Sequence, residues 1–402
     1  MKHNIFKIMM INLLVITFVI NSGCISEDDD KDEGSVPDNS EEALFPEVVP
    51  ATDGPLAVNE IDTWAYVIQD VEGNADLLER SRYGMLVIEP TRTDFSDESS
   101  RSYKTKDLVT RLKASAGNNE VNRKLVIAYI DIGQAEDWRW YWEWSVDSDW
   151  DPSETSKQSD WPSWIITHDP DWIGCFPVLY WHEDWKNIVI NGDFVWNDDV
   201  VEVPSGDEYG GEGYNSILDE VIIDGFDGIY LDWVEAFSDE SVVTAAEAAG
   251  IDPVETMFDF IEEMRDYGRT RFQEMGRDPN EWVLIQQNAP DLAESNDPRK
   301  FTVIDGIAQE GVWWEGTGDS GWDDPEGYDV STKEILGADW YNDVLNVWLP
   351  AYKDAGIPVF ACEYALENAE DVYENLAPDA GFIPYCTRRS LSKLTTTPPS
   401  FE

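Results

Sequence analysis

From residue 64 onward, short apolar runs alternate with longer stretches whose apolar positions recur at helical spacing. The runs at 64–69, 85–89, 125–131, 228–233, 283–288, 306–310, 359–363 and 382–386 read as strands. The stretches at 76–81, 106–116, 214–223, 253–275, 334–355 and 366–376 read as helices, and 390–394 reads as the start of a last one. Strands alternating with helices make βα units around a parallel sheet. Eight such units close most naturally into a (β/α)8 TIM barrel, an α/β fold. An open doubly wound sheet is the alternative, and no Gly-rich phosphate loop after the first strand supports it.

The gap between strands three and four, about 134–224, is too long for an ordinary βα connection. Ten of the chain's 19 tryptophans lie between Trp138 and Trp185. So many large apolar rings call for burial, so the insertion is expected to fold and to cover one end of the barrel. Most of these rings are expected in a second small core, with a few left to line a groove.

The ends of the chain differ in character. Lys2 and Lys7 precede the apolar run 8–20, which meets Asn21-Ser22-Gly23-Cys24. A basic flank, a short apolar run and small residues at a cut site read as a signal peptide over 1–23. About 13 apolar residues are too few for a membrane-spanning helix. Cys24 after Ser-Gly resembles a bacterial-type lipoprotein box, with Asn21 where Leu is usual. This makes Cys24 the expected lipidation site and places the protein outside the cell, anchored to the surface membrane. An ordinary secretory signal or an uncleaved anchor would also export the chain. Residues 24–55 are acidic and poor in apolar side chains, and are expected to form a disordered tether. Residues 56–402 then form one catalytic domain.

Formal net charge is −56, of which about −48 lies beyond residue 55. Nucleic acid and other polyanions would be repelled. A highly acidic surface suits a protein facing high salt, and a cationic substrate is the alternative cause. Beyond Cys24 only Cys175, Cys362 and Cys386 remain, without metal-site spacing. Cys362 and Cys386 fall on neighbouring strands, either as a disulfide or as buried thiols. Only His168 and His182 follow the signal segment. A Ser-His-Asp triad is poorly supplied, and neither a metal nor a cofactor is expected.

The working face of such a barrel lies at the C-terminal ends of its strands. Carboxylates stand there on five strands: Glu89, Asp131, Asp232, Glu310 and Glu363, with Glu235 just beyond strand four and Gln287-Asn288 ending strand five. Crowded like charges cost stability, so the cluster needs a cation, a cationic ligand or catalysis to account for it. Glycosidic cleavage needs two carboxyl groups and neither His, thiol nor metal. Aromatic rings supply flat faces for sugars.

Two segments carry a resemblance. Val126-Ile-Ala-Tyr-Ile-Asp-Ile-Gly-Gln-Ala-Glu136-Asp-Trp-Arg139-Trp-Tyr-Trp142 and Gly225-Phe-Asp-Gly-Ile-Tyr-Leu-Asp232-Trp-Val-Glu235 resemble a barrel family of extracellular glycoside hydrolases. That family is related to the endo-α-1,4-polygalactosaminidases, glycoside hydrolase family 114. The resemblance implies Asp232 and Glu310 as the catalytic pair, with Asp232 as nucleophile and Glu310 as general acid/base of a retaining reaction. Asp131, Gln134, Trp138, Glu235, Asn288 and Glu363 are the expected substrate-binding residues. Arg139 is expected to orient Glu136 or Asp131, or to form a structural ion pair. Gln134 departs from the family's frequent Glu, and the Trp-rich insertion is larger than a plain polygalactosaminidase needs. The expected substrate is a polysaccharide, α-1,4-linked and galactosamine-containing, and the expected working form is a monomer that touches the membrane through its lipid. Two readings compete with this one: a non-catalytic carbohydrate-binding surface lipoprotein, and a divalent-cation site built from the rim carboxylates.

Overall fold

The computed structural model describes residues 47–90, 103–142, 144, 161–170, 172–192, 216–316 and 328–395. The signal segment and Cys24 lie outside the described residues. Eight parallel strands run in sequential order: β1 (Trp64–Val67), β2 (Met85–Ile88), β3 (Leu125–Asp131), β4 (Gly228–Asp232), β5 (Val283–Gln287), β6 (Gly306–Glu310), β7 (Val359–Glu363) and β8 (Ile383–Cys386). Each matches an expected apolar run to within two residues, because strands buried on both faces read as continuous hydrophobic sequence.

The two outermost strands of the ladder, β1 and β8, meet through side chains. The Trp64 indole N–H donates to the Ile383 carbonyl at 2.9 Å, and its ring lies 5.9 Å from Tyr385. The sheet is therefore a nearly closed TIM-type barrel, and the open-sheet alternative falls. The chain end reinforces the seam: the Leu391 carbonyl accepts from the Ile68 and Gln69 amides at 3.1 and 3.2 Å. The helix expected at 390–394 does not form, because Leu391 takes a left-handed φ of 46° to make those bonds.

Register decides which residues face inward. Tyr129 lies opposite Tyr230 and Asp131 opposite Asp232. Ala308 lies opposite Phe360 and Glu310 opposite Cys362. Side chains alternate along a strand, so these positions share the interior face. Their rings fill the barrel: Trp64 lies 5.5 Å from Phe360, and Tyr66 lies 5.0 Å from Tyr230. Cys362 and Cys386 end up on opposite faces, since Glu363 is the residue paired with Cys386. They are free buried thiols, as is Cys175.

Helices α1 (Ala75–Arg80), α2 (Thr105–Lys113), α3 (Ile217–Ile223), α4 (Glu240–Ala249) and α5 (Pro253–Glu274) pack outside. Asp252 caps α5 through the Val254 and Glu255 amides, with Pro253 leading the helix. Helix α4 was not expected; Asp239 caps it and Gly250 ends it. The helix expected at 334–355 is instead broken at Gly337, φ 89°, and carries a π turn at Val344–Trp348. A second π turn, Val372–Leu376, lies in the stretch expected at 366–376. Each ends just before Pro350 or Pro378, which lack the N–H that would continue the ladder.

At the N-terminal end of the barrel, Asp227 is fully buried and its carboxylate is held by Lys113, Arg123 and Arg277 at 2.8, 2.6 and 2.9 Å. Burial alone would raise its pKa, but Arg123 and Lys113 hold it below the usual range. Residues 47–55, expected within the tether, join this end of the fold: Asp53–Pro55 pairs with Asn122–Arg123. Asp227→Asn leaves three cations around a neutral amide and is expected to cost about 3–5 kcal/mol. A urea midpoint unchanged at pH 7 would remove Asp227 as the lock of this end.

Candidate active site

The rim is built by four consecutive strands, β3 to β6, and the chain turns sharply after the last three. Trp233, Asn288 and Ala289 take φ values of 56°, 53° and 52°, in the left-handed region that non-glycine residues seldom occupy. Such backbone persists when surrounding bonds hold it and gathers at functional sites. After β6, Gly311 is also left-handed, φ 57°, and a Cβ there would lie 2.2 Å from the Glu315 carboxylate.

Asp232 ends β4 on the interior face. One of its oxygens accepts the Trp233 amide at 2.7 Å and the other accepts the Tyr129 hydroxyl. Burial, and then the charge of Glu310, push its carboxyl up to about 7. Glu310 ends β6 on the same face. Its Oε2 accepts from the Gln287 and Asn288 side-chain amides at 2.7 and 3.1 Å, and its Oε1 accepts the Tyr364 hydroxyl. Each member of the expected catalytic pair thus receives one tyrosine hydroxyl. Asn288 also accepts the Glu310 amide at 3.0 Å, so it holds both the backbone and the side chain of that residue.

The other expected residues divide. Asp131 lies beside Asp232, buried, accepting the Gly133 and Gln134 amides at 3.0 and 2.8 Å. Burial and then the Asp232 charge hold its carboxyl well above the usual range. Glu235 follows β4 in the short 3-10 turn Val234–Ser238, and burial followed by the Asp232 charge pushes it up to about 8. Gln134 is buried in the insertion and donates to Asp169 at 2.5 Å. Trp138 is half-buried, and Gly174 is packed against its ring so closely that a Cβ would lie 2.7 Å away.

Glu363 does not join the cluster. It is one residue past Cys362, the position opposite Glu310, and so projects from the other face of β7. There its buried carboxylate accepts the Val312, Trp313 and Trp314 amides at 3.0, 2.9 and 2.8 Å. It anchors the loop that follows Glu310. Arg139 pairs with Glu136 and Glu89, not with Asp131.

Tyr129 and Tyr364 were not singled out from the sequence. Tyr129 stands two residues before Asp131, on its face, and this parity was the available signal. Tyr364 lies just beyond a strand and carried none. A further pair, Arg389 with Glu315 at 2.7 Å, stands behind Tyr364, with the guanidinium 4.9 Å from its ring centre. Among the described residues, no group of three or more His, Cys, Asp and Glu is placed to hold a metal ion.

Over this rim the insertion begins with a hairpin, Gln134–Glu136 against Cys175–Pro177. Trp140, Trp142, Trp161, Trp164 and Trp185 are buried in its core, and the Trp142 ring stacks on Phe176 at 4.5 Å. The Trp185 indole N–H ties this core to the barrel through the Ile132 carbonyl at 3.0 Å.

No protein-family model matches the chain. An uncharacterized protein of Methanocaldococcus jannaschii is 27% identical over 353 residues, 83% of this chain and 78% of that protein. One from Deinococcus radiodurans is 24% identical over 96% of this chain and 99% of its own. Among solved structures, the glycoside hydrolase domain of a PelA variant from Pseudomonas aeruginosa aligns with a TM-score of 0.45 and 12% identity, over 83% of this chain and 97% of that one. Aspergillus fumigatus Ega3 in complex with galactosamine aligns with a TM-score of 0.41 and 15% identity, over 85% and 96%.

The raised carboxyls have a consequence for stability. Unfolded Asp and Glu titrate near about 3.9 and 4.3. Asp232 and Glu235 titrate at about 7 and 8 when folded, so the native state binds more protons across that window. Their contribution is fully present below about pH 4 and is lost as pH rises through the folded values. Asp232→Asn and Glu235→Gln are therefore expected to stabilise the protein by roughly 1–3 kcal/mol at pH 8 and to change little at pH 4. Urea midpoints at the two pH values check this; destabilisation at pH 8 would make these carboxylates structural supports.

Proposed function

We propose that this chain is a glycoside hydrolase that cleaves a polysaccharide with Asp232 and Glu310. The observation that carries the reading is the placement of two carboxylates on the interior face of β4 and β6, each held by a tyrosine hydroxyl. One strand separates β4 from β6, so their backbones stand about 9–10 Å apart and inward side chains approach more closely. A sugar ring entering between them meets a carboxyl group on each side, as glycosidic cleavage requires.

Asp232 attacks the anomeric carbon while Glu310 protonates the departing glycosidic oxygen. Glu310 then takes a proton from the water that releases the sugar from Asp232. Burial, and then the charge of Glu310, raise the Asp232 carboxyl. Positive charge developing at the anomeric carbon favours ionised Asp232, the form that attacks.

The finer reading is an α-1,4-linked, galactosamine-containing polymer. The sequence resemblance and the crowd of carboxylates around the pair support it, since ammonium groups on the sugar would relieve that crowding. Export and anchoring through Cys24 complete the proposal, on the strength of the signal segment and its Ser-Gly-Cys junction.

A polysaccharide panel that includes polygalactosamine, incubated at high salt, tests the proposal. Wild type is expected to release reducing ends, and Asp232→Asn and Glu310→Gln to lose about 10²–10⁴-fold or more in rate. Binding without cleavage by all three proteins would replace the enzyme with a surface sugar receptor.

A further inference from the structure

Three buried polar atoms beside the acid pair have no partner in the described protein: the Tyr230 hydroxyl, Gln287 Oε1 and Glu235 Oε2. Buried polar groups are nearly always satisfied, so three orphans in one place need a reason. Tyr230 is 0% exposed and Gln287 3%. Both belong to the barrel itself rather than to a movable surface loop.

Their places converge. Tyr230 sits on β4 two residues below Asp232, on the same interior face, with its ring packed 5.0 Å from Tyr66. The charge that most raises its phenol, after burial, is that of Glu310. Leu231 is opposite Gln286, which sets Gln287 beside Asp232 at the next step of the ladder. The amide of Gln287 is oriented by chemistry: its NH2 donates to Glu310 at 2.7 Å, so its oxygen is the end left over. Glu235 comes three residues after Asp232 and feels the charges of Asp232, Glu310 and Asp291.

We propose that Tyr230, Gln287 and Glu235 form the sugar-reading subsite of the acid pair. Gln287 Oε1 accepts from a donor on the ring, and the Glu235 carboxyl and the Tyr230 hydroxyl, each able to donate or accept, bond to the same sugar. Gln287 Oε1 can only accept, so the ligand must bring a donor there: a hydroxyl or ammonium group on a ring carbon. Glu310 takes a second part here, because its charge fixes which end of Gln287 faces the sugar. This inference rests on the glycoside hydrolase reading, gives roles to Tyr230 and Gln287, which that reading leaves without one, and sets them beside Glu235, already expected to bind substrate.

Galactosamine and galactose are titrated calorimetrically into wild type, Tyr230→Phe and Gln287→Met, with melting temperatures recorded and hydrolysis of the best panel polymer followed in parallel. Each substitution is expected to weaken sugar binding roughly 3–10-fold, the effect of one hydrogen bond. The Tyr230→Phe melting temperature is expected to hold or rise, since the hydroxyl has no protein partner to lose. Weakening shared by both sugars assigns the donors to hydroxyls, and weakening confined to galactosamine assigns one to the ammonium. Unchanged affinity in both variants overturns the subsite while wild-type hydrolysis leaves the enzyme standing. A lower melting temperature in Tyr230→Phe also overturns it, by making the hydroxyl structural. Wild type that neither binds a sugar nor cleaves any polymer overturns the hydrolase reading together with this one.

Discussion

A parallel sheet closed on itself admits only alternate residues of each strand to its interior, and the rim of this protein follows from that constraint. The seam held by Trp64 and Ile383 is what makes the inside an inside. Once it is closed, the register between neighbours places Asp131 beside Asp232 and brings Glu310 above the aromatic floor of Tyr66 and Tyr230. The same register turns Glu363 outward, although it ends its strand as Glu310 does.

The two ends of the barrel handle buried charge in opposite ways. Asp227 is surrounded by three cations and sits below the usual carboxylate range. Asp131, Asp232 and Glu235 receive hydrogen bonds or nothing, but no cation, and all rise. A buried carboxylate with matching cations fastens structure; a crowd without them is held in place by the fold at a cost in stability. The cations near the rim pair with other carboxylates: Arg139 with Glu89 and Glu136, and Arg389 with Glu315. Asp131, Asp232 and Glu235 are left without a counter-ion.

The described part of the insertion packs onto the barrel. Its tryptophans pack on one another and on Phe176, and Trp185 bonds back to β3's extension at Ile132. These contacts join the described tryptophans of the insertion to the strand that carries Asp131. The left-handed residues Trp233 and Asn288 belong to the same design, since they bend the chain immediately after inward-facing Asp232 and Gln287.

All eight strands were legible in the sequence, because burial on both faces writes continuous apolar runs. So was the rim position of Asp232, Glu310, Asp131 and Asn288, because a polar residue closing such a run has to stand at the strand end. Helix α4 and the loss of the 390–394 helix were not legible: the first is weakly patterned, and the second yields to bonds with residues more than 300 positions away. Nor could the chain alone separate Glu363 from Glu310. The run of apolar residues before each is alike, and only the pairing of Glu310 with Cys362 puts them on opposite faces. Tyr129, Tyr364 and the orphaned ends of Tyr230 and Gln287 were likewise decided by tertiary structure. What a side chain is made of is written in the sequence, but whether its polar end finds a partner depends on residues from other strands.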